Sequence, residues 1–429
     1  MKTNSLITFF ILLVFTGHSF AQKDQFSDQT KEVNGERLGR IDRVFEEYVS
    51  NQWINGGEVI VYHQDQLIYH KAHGYRDVDQ KEHLEKNSIY RMASQTKLIT
   101  TVGIMMLLEQ GKFLLNDPIS KFLPEFKNPL VLDSYNELDT TFTTIPATRE
   151  ITFKDLLTHT SGIGYPQIGS PQMTAIYYKS GVYGGLGLVN ETTLSNQMGL
   201  LAKTPLFNQP GEKYTYGLNI DLLGYLIEVI SGQSLWDFYQ KEIFEPLGMK
   251  DTWFFLPEDK HARLVPLYLE TENRTVTKAS EYFDIGGKTL SNYPIAKGSY
   301  YSGGAGLSST AEDFTTFLRM ILNGGALNGH KILSSASIRL MTTNQIGSLE
   351  FSNGGKGNKF GLGLILVTEE SGTNSLVTPG SFEAGGAFST YFWIDPKRKI
   401  IGQMMLNKFP NSHFDLFRKF QNLVYQALD

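Results

Sequence analysis

Tyr90-Arg-Met-Ala-Ser-Gln-Thr-Lys97 is the stretch that decides how this chain is interpreted. An apolar run over residues 98–108 follows it and Gly111 ends the pattern, so the sequence predicts a helix over residues 95–110. Ser94 would stand at the N-terminus of that helix, with Lys97 about one turn further along the same face. The Ser-x-x-Lys spacing occurs once in the 429 residues, about as often as chance allows. It therefore indicates a catalytic serine only together with the residues around it.

The chemistry of a nucleophilic serine explains why this placement matters. A serine hydroxyl attacks a carbonyl only when a neighbouring base removes its proton. Lysine can act as that base when burial or nearby positive charge disfavours its ammonium form. The start of a helix also directs unpaired backbone amides at negative charge that develops on a reacting oxygen. The alternative is an N-capping serine followed by a surface lysine, and the pattern alone leaves both open.

Composition places the chain among globular proteins and excludes several function classes. Of its 429 residues, 41% are hydrophobic and 12% aromatic, which is enough for a large core. The formal net charge is −5 without a basic patch, so a nucleic-acid partner is not expected. The chain has no cysteine, which removes disulfide and thiolate chemistry. His70 and His73 have no partner at metal-ligand spacing, so neither a metal site nor a cofactor is predicted.

The N-terminus has the pattern of a secretory signal sequence. Lys2 supplies a positive start, residues 6–15 are apolar, and Ser19-Phe20-Ala21 places small residues around a cleavage position. We expect cleavage after Ala21 and export to the periplasm or the medium. The apolar run is shorter than the ~20 residues that span a bilayer, and no later run reaches that length. The mature chain is therefore expected to have no transmembrane segment.

The order of predicted elements indicates an α+β fold. Strand-like runs near both chain ends predict one antiparallel sheet built from both termini and flanked by helices, with a mostly helical region inserted. The predicted parts are the signal sequence at 1–21, the first helix and strands at 22–91, the mainly helical region at 92–340, and the closing strands and helix at 341–429. The clearest elements are helices at 38–48, 222–230, 311–322 and 414–428, a hairpin of strands at 59–62 and 67–70, and strands at 363–368, 389–394 and 400–406.

Further stretches share their order and spacing with a known family. With them, the chain resembles the serine β-lactamase-related hydrolases: class C β-lactamases, D-Ala-D-Ala carboxypeptidases and their family VIII esterase relatives. The resemblance covers residues 40–408 and implies a β-lactamase/transpeptidase-like fold and an acyl-enzyme formed on Ser94. Besides 90–97, the matching stretches are residues 151–162, 210–218, 222–232, 243–249 and 304–310.

The family's second motif, Tyr-x-Asn, implies a catalytic phenol. The register of residues 216–224 places that tyrosine at Tyr216, with Tyr214 as the rival two residues earlier. A phenol serves as a base only if adjacent cations stabilise the phenolate, and Lys97 would supply that charge. The motif's substrate-binding asparagine is replaced by Leu218, which cannot form hydrogen bonds. Asn219 would substitute for it only if the loop shifts.

The family's third motif aligns with Ala384-Gly385-Gly386. In relatives, a cation at the first position meets the carboxylate of β-lactam and peptide substrates, and Ala384 offers no such group. The two glycines permit close approach of a substrate backbone, although a β-bulge or turn would use them equally well. By resemblance, the backbone amides of Ser94 and Ala387 form the oxyanion hole. Leu218 and Ala384 to Gly386 are the predicted substrate-binding positions.

These features predict a serine hydrolase for a small ester, amide or peptide-like substrate. The pattern favours an esterase-like enzyme. A β-lactamase or D-Ala-D-Ala carboxypeptidase is the first alternative, and a non-catalytic binding protein on the same fold is the second.

Two further features concern the surroundings of the site. For His159 we expect a structural role, because Ser94, Lys97 and Tyr216 already supply the base. Residues 165–189, rich in tyrosine and glycine, form either a mobile flap over the pocket or an ordinary surface loop.

Overall fold

The structure is a computed structural model that describes residues 33–186, 192–284, 288–352, 354–371 and 375–428. The predicted signal sequence lies outside these ranges. The strands, in chain order, are β1 Gly56–His63, β2 Gln66–Asp77, β3 Glu82–His83, β4 Ile89–Arg91, β5 Leu130–Tyr135, β6 Phe142–Pro146, β7 Tyr268–Glu270, β8 Val276–Lys278, β9 Tyr282–Asp284, β10 Lys288–Leu290, β11 Ser308–Thr310, β12 Ala326–Leu327, β13 His330–Lys331, β14 Lys359–Phe360, β15 Ile365–Leu366, β16 Phe382–Gly386, β17 Thr390–Asp395, β18 Ile400–Met405 and β19 Lys408–Phe409.

The helices occupy mainly the middle of the chain. They are α1 Gly35–Leu38, α2 Arg40–Ser50, α3 Thr96–Glu109, α4 Phe153–Leu157, α5 Pro171–Lys179, α6 Leu194–Leu201, α7 Asn219–Ser231, α8 Leu235–Tyr239, α9 Glu245–Leu247, α10 Ala311–Leu322, α11 Ser335–Met341 and α12 Asp415–Tyr425. Within the described ranges, none of these helices combines the length and the apolar character that crossing a bilayer requires.

One eight-stranded antiparallel sheet joins the two ends of the chain. Its strand order is β14-β15-β16-β17-β18-β1-β2-β3, so N-terminal β1 lies beside C-terminal β18. In that pair Val59 lies opposite Met404, and Tyr62 lies opposite Ile401. The predicted α+β architecture, with one sheet built from both termini, is therefore confirmed. The exact domain boundaries stay a prediction.

Alternate residues of the central strands face two different cores. Val59 and Val61 of β1 pack in a cluster with residues of α2 and α12, whereas Tyr62 of the same strand packs against the main core under the helical region. This division follows from the two-residue repeat of a strand, which sends successive side chains to opposite faces. The sheet is thus covered on both sides, and the inserted helical region packs on one of them.

Helix α3 lies inside the helical region and is buried on nearly every side. A helix that is apolar all round is stable only inside a core. Its approach to α7 is close, since a Cβ at Gly103 would lie 3.0 Å from the Ile227 side chain. The residues at the start of α3 are therefore held by packing rather than by a side-chain cap.

A separate two-stranded ribbon aligns the chain before α3 with a distant segment. Strand β4 pairs with β11, and beyond the pair the Met92 amide donates to the Leu307 carbonyl at 2.9 Å. The Leu307 amide in turn donates to Thr96 Oγ1 at 3.1 Å. Residues 302–307 are thereby placed beside the start of α3.

Local predictions succeed where short-range signals are strong. The helix predicted at 311–322 is α10 itself, capped by Thr310, whose side chain accepts from the Asp313 amide. The strand predicted at 363–368 is wrong in extent, because only Ile365–Leu366 pairs and Gly363 has φ = 73°. The predicted strand at 67–70 is longer than expected, since pairing with β1 extends β2 over Gln66–Asp77.

Glu58 on β1 gives the fold a predictable pH dependence. Burial raises the pKa of its carboxyl from 4.5 to about 7, against the effect of the hydrogen bond with His70. The contribution of this carboxyl to stability is therefore present below pH 4.5 and lost as the pH rises through about 7. We expect Glu58→Gln to raise the free energy of unfolding at pH 8 by up to about 3 kcal/mol, with little change at pH 4.5.

Urea unfolding at the two pH values measures this effect. The exposed residue Glu137 provides the control, because Glu137→Gln also removes a carboxylate but should preserve the pH dependence of wild type. An unchanged pH dependence in Glu58→Gln would contradict the prediction.

Candidate active site

Ser94 lies in a tight turn at the head of the buried helix α3. A short 3-10 helix, Ala93–Gln95, leads into α3, and the backbone of Ala93 has φ = 46°. A non-glycine residue in this left-handed region costs on the order of 1–3 kcal/mol, which the surrounding packing must offset. The turn leaves Ser94 half-buried, whereas its neighbours Ala93 and Gln95 are buried. Its hydroxyl is thus available from outside the core.

Hydrogen bonds join the three side chains that the sequence placed in catalysis. The Oγ of Ser94 lies 2.7 Å from the OH of Tyr216 and 3.2 Å from the Nζ of Lys97. Ser94 and Lys97 are one turn apart, and Tyr216 comes from the loop that precedes α7. A nucleophile in contact with two proton-transfer groups is the arrangement that covalent catalysis needs. The individual roles of the three residues stay predictions.

The Lys97 side chain is buried and surrounded by groups that suit a cation. Only 6% of the residue is exposed. Its Nζ donates to the Gly304 carbonyl at 2.7 Å, in addition to Ser94 Oγ. The same nitrogen lies 4.8 Å from the ring centre of Tyr216 and 5.6 Å from that of Tyr165. Aromatic faces attract cations at such distances, so the site accommodates a charged ammonium group.

The structure separates the two candidate phenols. Tyr216 reaches Ser94, whereas Tyr214 is buried in an aromatic cluster, with its ring centre 4.8 Å from Phe351 and 5.4 Å from Phe360. Burial raises the pKa of Tyr214 well above its ordinary value, and the nearby Tyr216 adds to this. The geometry therefore favours Tyr216 as the phenol that acts on Ser94.

The ring of His159 packs against the ring of Tyr216. His159 is 1% exposed, and its ring centre lies 4.8 Å from that of Tyr216. Its Nδ1 lies 2.9 Å from the Nδ2 of Asn219, which also faces the carbonyls of Ile163 and Thr215 and is therefore the donor. Burial lowers the pKa of His159 well below its ordinary value, and the charge of Lys97 lowers it further. A neutral, fixed ring in this place suits the structural role that the sequence predicted.

Leu218 and Asn219, which follow Tyr216 and Gly217, point into the protein. Leu218 is fully buried and belongs to the main core, so its side chain offers no surface to a substrate. Asn219 is also fully buried, and its Oδ1 accepts from Ser161 Oγ at 2.5 Å. Asn219 is therefore not placed to replace the motif's missing asparagine. Contact between Leu218 and substrate stays a prediction without support from this geometry.

The predicted oxyanion amides lie on two segments that contact each other. Ala387 is exposed in the turn between β16 and β17, and Thr390 Oγ1 after that turn donates to the Met92 carbonyl at 3.2 Å. Gly386 packs so tightly there that a Cβ would collide with the same carbonyl. In the described part of the chain, neither the Ser94 amide nor the Ala387 amide donates to another protein group. Both amides are thus free to bind a substrate oxygen, as an oxyanion hole requires.

The residues that align with the third motif, Ala384 to Gly386, form the end of β16 that has a partner strand on one side only. Phe382 and Glu383 pair with β15, but the register of that pair ends there, so Ala384 to Gly386 pair with β17 alone. Ala384 and Gly385 are half-buried and Gly386 is buried. These three residues therefore lie at an edge of the sheet. Pairing with β17 is regular here, which excludes the β-bulge alternative.

Residues 165–186 begin and end against the site, while residues 187–189 of the proposed flap lie outside the described ranges. The ring of Tyr165 stacks on that of Tyr216, with centres 5.7 Å apart and an interplanar angle of 17°. At the other end, Leu186 packs in a cluster with Ala93 and Phe388, next to the nucleophile and the oxyanion turn. The segment therefore forms part of the site wall, and its motion stays a prediction.

Two residues near the site carried no role in the sequence analysis. Asp221, on the first turn of α7, accepts from Ser302 Oγ at 2.6 Å and lies behind the loop whose Gly304 carbonyl binds Lys97. Nothing local marks this pair, because 81 positions separate the two residues. Asp221 falls within the stretch 216–224 that set the register of Tyr216, but only the structure shows its partner.

His70 and His73 each have a side-chain partner in the sheet region. His70 Nε2 lies 2.7 Å from Glu58 Oε1, and His73 Nε2 lies 3.1 Å from the Tyr69 hydroxyl. Within the described ranges, no group of three or more His, Asp or Glu side chains is arranged to hold a metal ion.

The sequence profile of the beta-lactamase family matches residues 41–426. Among similar proteins are lovastatin esterase of Penicillium rubens, 33% identical over 67% of this chain and 69% of its own length, and esterase EstB of Burkholderia gladioli, 26% identical over 83% of this chain and 86% of its own length. Among solved structures, EstCE1, described as a hydrolase with promiscuous acyltransferase activity, superimposes with a TM-score of 0.78 at 25% identity, over 91% of this chain and 99% of its own.

Fold, site and similarity together define the class of this protein, which is that of the serine hydrolases. The chain belongs to the beta-lactamase family.

Proposed function

We propose that the protein is an esterase-like hydrolase that forms an acyl-enzyme on Ser94. The observation that carries this proposal is the contact of Ser94 Oγ with both Tyr216 OH at 2.7 Å and Lys97 Nζ at 3.2 Å. These contacts give the hydroxyl a proton acceptor and a neighbouring donor in one half-buried place. Catalysis by this route needs no cofactor.

The reaction proceeds in two acyl-transfer steps. In the first step the Ser94 oxygen attacks the substrate carbonyl as its proton passes to the Lys97–Tyr216 pair. The carbonyl electrons move onto the oxygen, which the amides of Ser94 and Ala387 stabilise. The tetrahedral intermediate then expels the alkoxide, which takes a proton from Tyr216 and leaves as the alcohol. In the second step water attacks the acyl-enzyme by the same route and releases the acid.

The proposed substrate is a small ester without a carboxylate beside the scissile bond. Ala384 carries no positive charge at the position where the family's third motif would meet such a carboxylate. Leu218 and Asn219 leave the motif's amide-binding position without an available hydrogen-bonding group. Two similar proteins are named as esterases, which supports the same choice. A β-lactam or a D-Ala-D-Ala peptide carries the carboxylate that this site lacks a partner for.

A fluorophosphonate probe followed by a substrate panel tests the proposal. We expect one covalent adduct per chain, located on the peptide containing Ser94, with the heat-denatured protein as the unreactive control. We expect kcat/KM for a p-nitrophenyl acyl ester to exceed that for a chromogenic cephalosporin by about 10²-fold or more. Faster turnover of the cephalosporin would overturn the ester preference. Absence of an adduct would favour a non-catalytic binding protein.

We propose further that the chain is exported and processed. Lys2, the apolar residues 6–15 and the small residues before Gln22 support cleavage after Ala21. Sequencing the N-terminus of protein recovered from the periplasm or medium tests this, and a mature chain that still begins at Met1 would contradict it.

A further inference from the structure

Asp221 is a fully buried carboxylate that the reaction described above does not use. It lies on the first turn of α7 with 1% of the residue exposed. Its Oδ1 accepts from Ser302 Oγ at 2.6 Å and, at 3.4 Å, from the Tyr300 hydroxyl and the Gly304 amide. A buried carboxylate is costly unless such donors or a cation compensate it, so its presence here calls for an explanation.

These hydrogen bonds shape the loop that binds Lys97. The Ser302 hydroxyl, while donating to Asp221, accepts from the Ala305 amide at 3.0 Å and so closes the loop around Gly304. A Cβ at Gly304 would collide with Asp221 Oδ2, so the carboxylate and the loop backbone are in direct contact. On its other side, the Gly304 carbonyl accepts from Lys97 Nζ at 2.7 Å. The loop thus connects the carboxylate of Asp221 to the amine of Lys97.

Asp221 and Lys97 also interact through their charges. Burial raises the pKa of Asp221, while the Ser302 hydroxyl, the positive charge of Lys97 and the Gly304 amide oppose this effect and favour the carboxylate. The ionisable groups that interact with Lys97 or Asp221 in the described part of the chain include His159, whose pKa burial lowers, and the phenols of Tyr165, Tyr216, Tyr239 and Tyr300. Asp221 is the carboxylate among these groups, so it is the group that can balance a positive Lys97.

Building on the proposed function, we propose that Asp221 is a positioning residue that fixes the Gly304 carbonyl and keeps Lys97 an ammonium ion. Tyr216, as a phenolate stabilised by Lys97, then takes the Ser94 proton. The Ser94 oxygen forms a bond to the carbonyl carbon, and the carbonyl π electrons move to the oxyanion. When the intermediate collapses, the bond to the alkoxide breaks and the alkoxide takes the proton from Tyr216. Lys97 keeps its proton throughout.

The test is the pH dependence of Ser94 phosphonylation in Asp221→Asn, measured with a fluorophosphonate probe, because this reaction also requires removal of the Ser94 proton. The asparagine is nearly isosteric with aspartate but removes the negative charge. In wild type we expect labelling of Ser94 to persist to alkaline pH, because the Asp221 carboxylate stabilises a positive charge beside Tyr216. In Asp221→Asn we expect the alkaline loss of activity to move to lower pH by about one unit or more. A lower rate at every pH without this movement would show a merely structural role and overturn the proposal.

Two matched variants separate charge from position. Glu228→Gln removes a carboxylate from the same helix, where Glu228 accepts from the Leu235 amide at 2.9 Å, and should leave the pH profile of wild type unchanged. Ser302→Ala keeps the charge of Asp221 but removes its shortest hydrogen bond. It should therefore lower the rate and leave the alkaline limb in place. An alkaline shift in Glu228→Gln as large as that in Asp221→Asn would overturn the proposal.

A measurement on the wild type makes the test independent of variant folding. In protein labelled with ¹⁵N-lysine, the side-chain nitrogen signal of Lys97 distinguishes an ammonium from an amine, and its absence in Lys97→Met assigns it. We expect the ammonium signal at pH 8, and an amine signal at that pH would overturn the proposal. If wild type fails to form the Ser94 adduct at all, the proposed function itself is wrong. If the adduct forms but the pH profiles and the signal disagree with expectation, only the role of Asp221 is wrong.

Discussion

Lys97→Met is expected to lower the rate of Ser94 acylation about 10³-fold while leaving the protein folded. The substitution removes the cation that lies 3.2 Å from Ser94 Oγ and 4.8 Å from the ring centre of Tyr216. Without that charge the phenolate of Tyr216 loses its stabilising neighbour. Methionine has a similar shape and fills the same buried space, and the Asp221 carboxyl, whose pKa burial already raises, can take up a proton when the cation is removed, so the protein should stay folded. The stopped-flow burst of p-nitrophenol from a p-nitrophenyl acyl ester and thermal unfolding measure the two effects.

Lys408→Met provides the contrasting variant, since Lys408 is also a fully buried lysine. It forms an ion pair with Glu270 and donates to the Trp53 carbonyl at 2.9 Å. Removing it leaves the Glu270 carboxylate without its ion partner, so we expect a lower melting temperature and a nearly normal acylation rate. The two variants should therefore show opposite patterns. An acylation rate in Lys97→Met within about tenfold of wild type would mean that Lys97 does not act on Ser94.

The sequence predicts those parts of the site that depend on neighbouring residues or on the spacing of the family's motifs. The helix that carries Ser94 and Lys97 follows from a continuous apolar run with a glycine at its end, and the structure has α3 there. The order and spacing of motifs then placed Tyr216 near Ser94 across 122 positions. These features are local, or they belong to a pattern shared by the whole family.

The features that the sequence did not predict depend on contacts between distant segments. The Asp221–Ser302 hydrogen bond and the Gly304–Lys97 hydrogen bond join parts of the chain that periodicity and capping cannot relate. The motif position of Leu218 predicts a substrate-binding residue, whereas its side chain is buried in the main core, so that role stays a prediction. Side-chain direction in a loop is set by tertiary packing, for which a single sequence carries no periodic signal.

Tyr216→Phe is expected to reduce acylation by about 10²- to 10⁴-fold, whereas Tyr214→Phe should change it by less than about threefold. Both substitutions remove one hydroxyl and keep the ring, so packing is nearly unchanged in each. The hydroxyl of Tyr216 lies 2.7 Å from Ser94 Oγ, and the ring of Tyr214 packs instead on Phe351 and Phe360. The pair therefore isolates the chemical contribution of one phenol from the structural contribution of an aromatic ring.

These two variants also decide which tyrosine is the catalytic phenol, a choice that the motif register leaves open. Labelling rates should be compared at equal pH with Ser94→Ala as the background, and near-ultraviolet circular dichroism should verify the aromatic packing. A large loss in Tyr214→Phe with a small loss in Tyr216→Phe would reverse the assignment. Equal large losses would indicate that both hydroxyls are needed. Because the loop bearing both tyrosines is anchored by the Thr215 amide, which donates to the His159 carbonyl at 2.7 Å, neither variant should move the other ring. The rate difference then reports directly on which phenol takes the proton from Ser94.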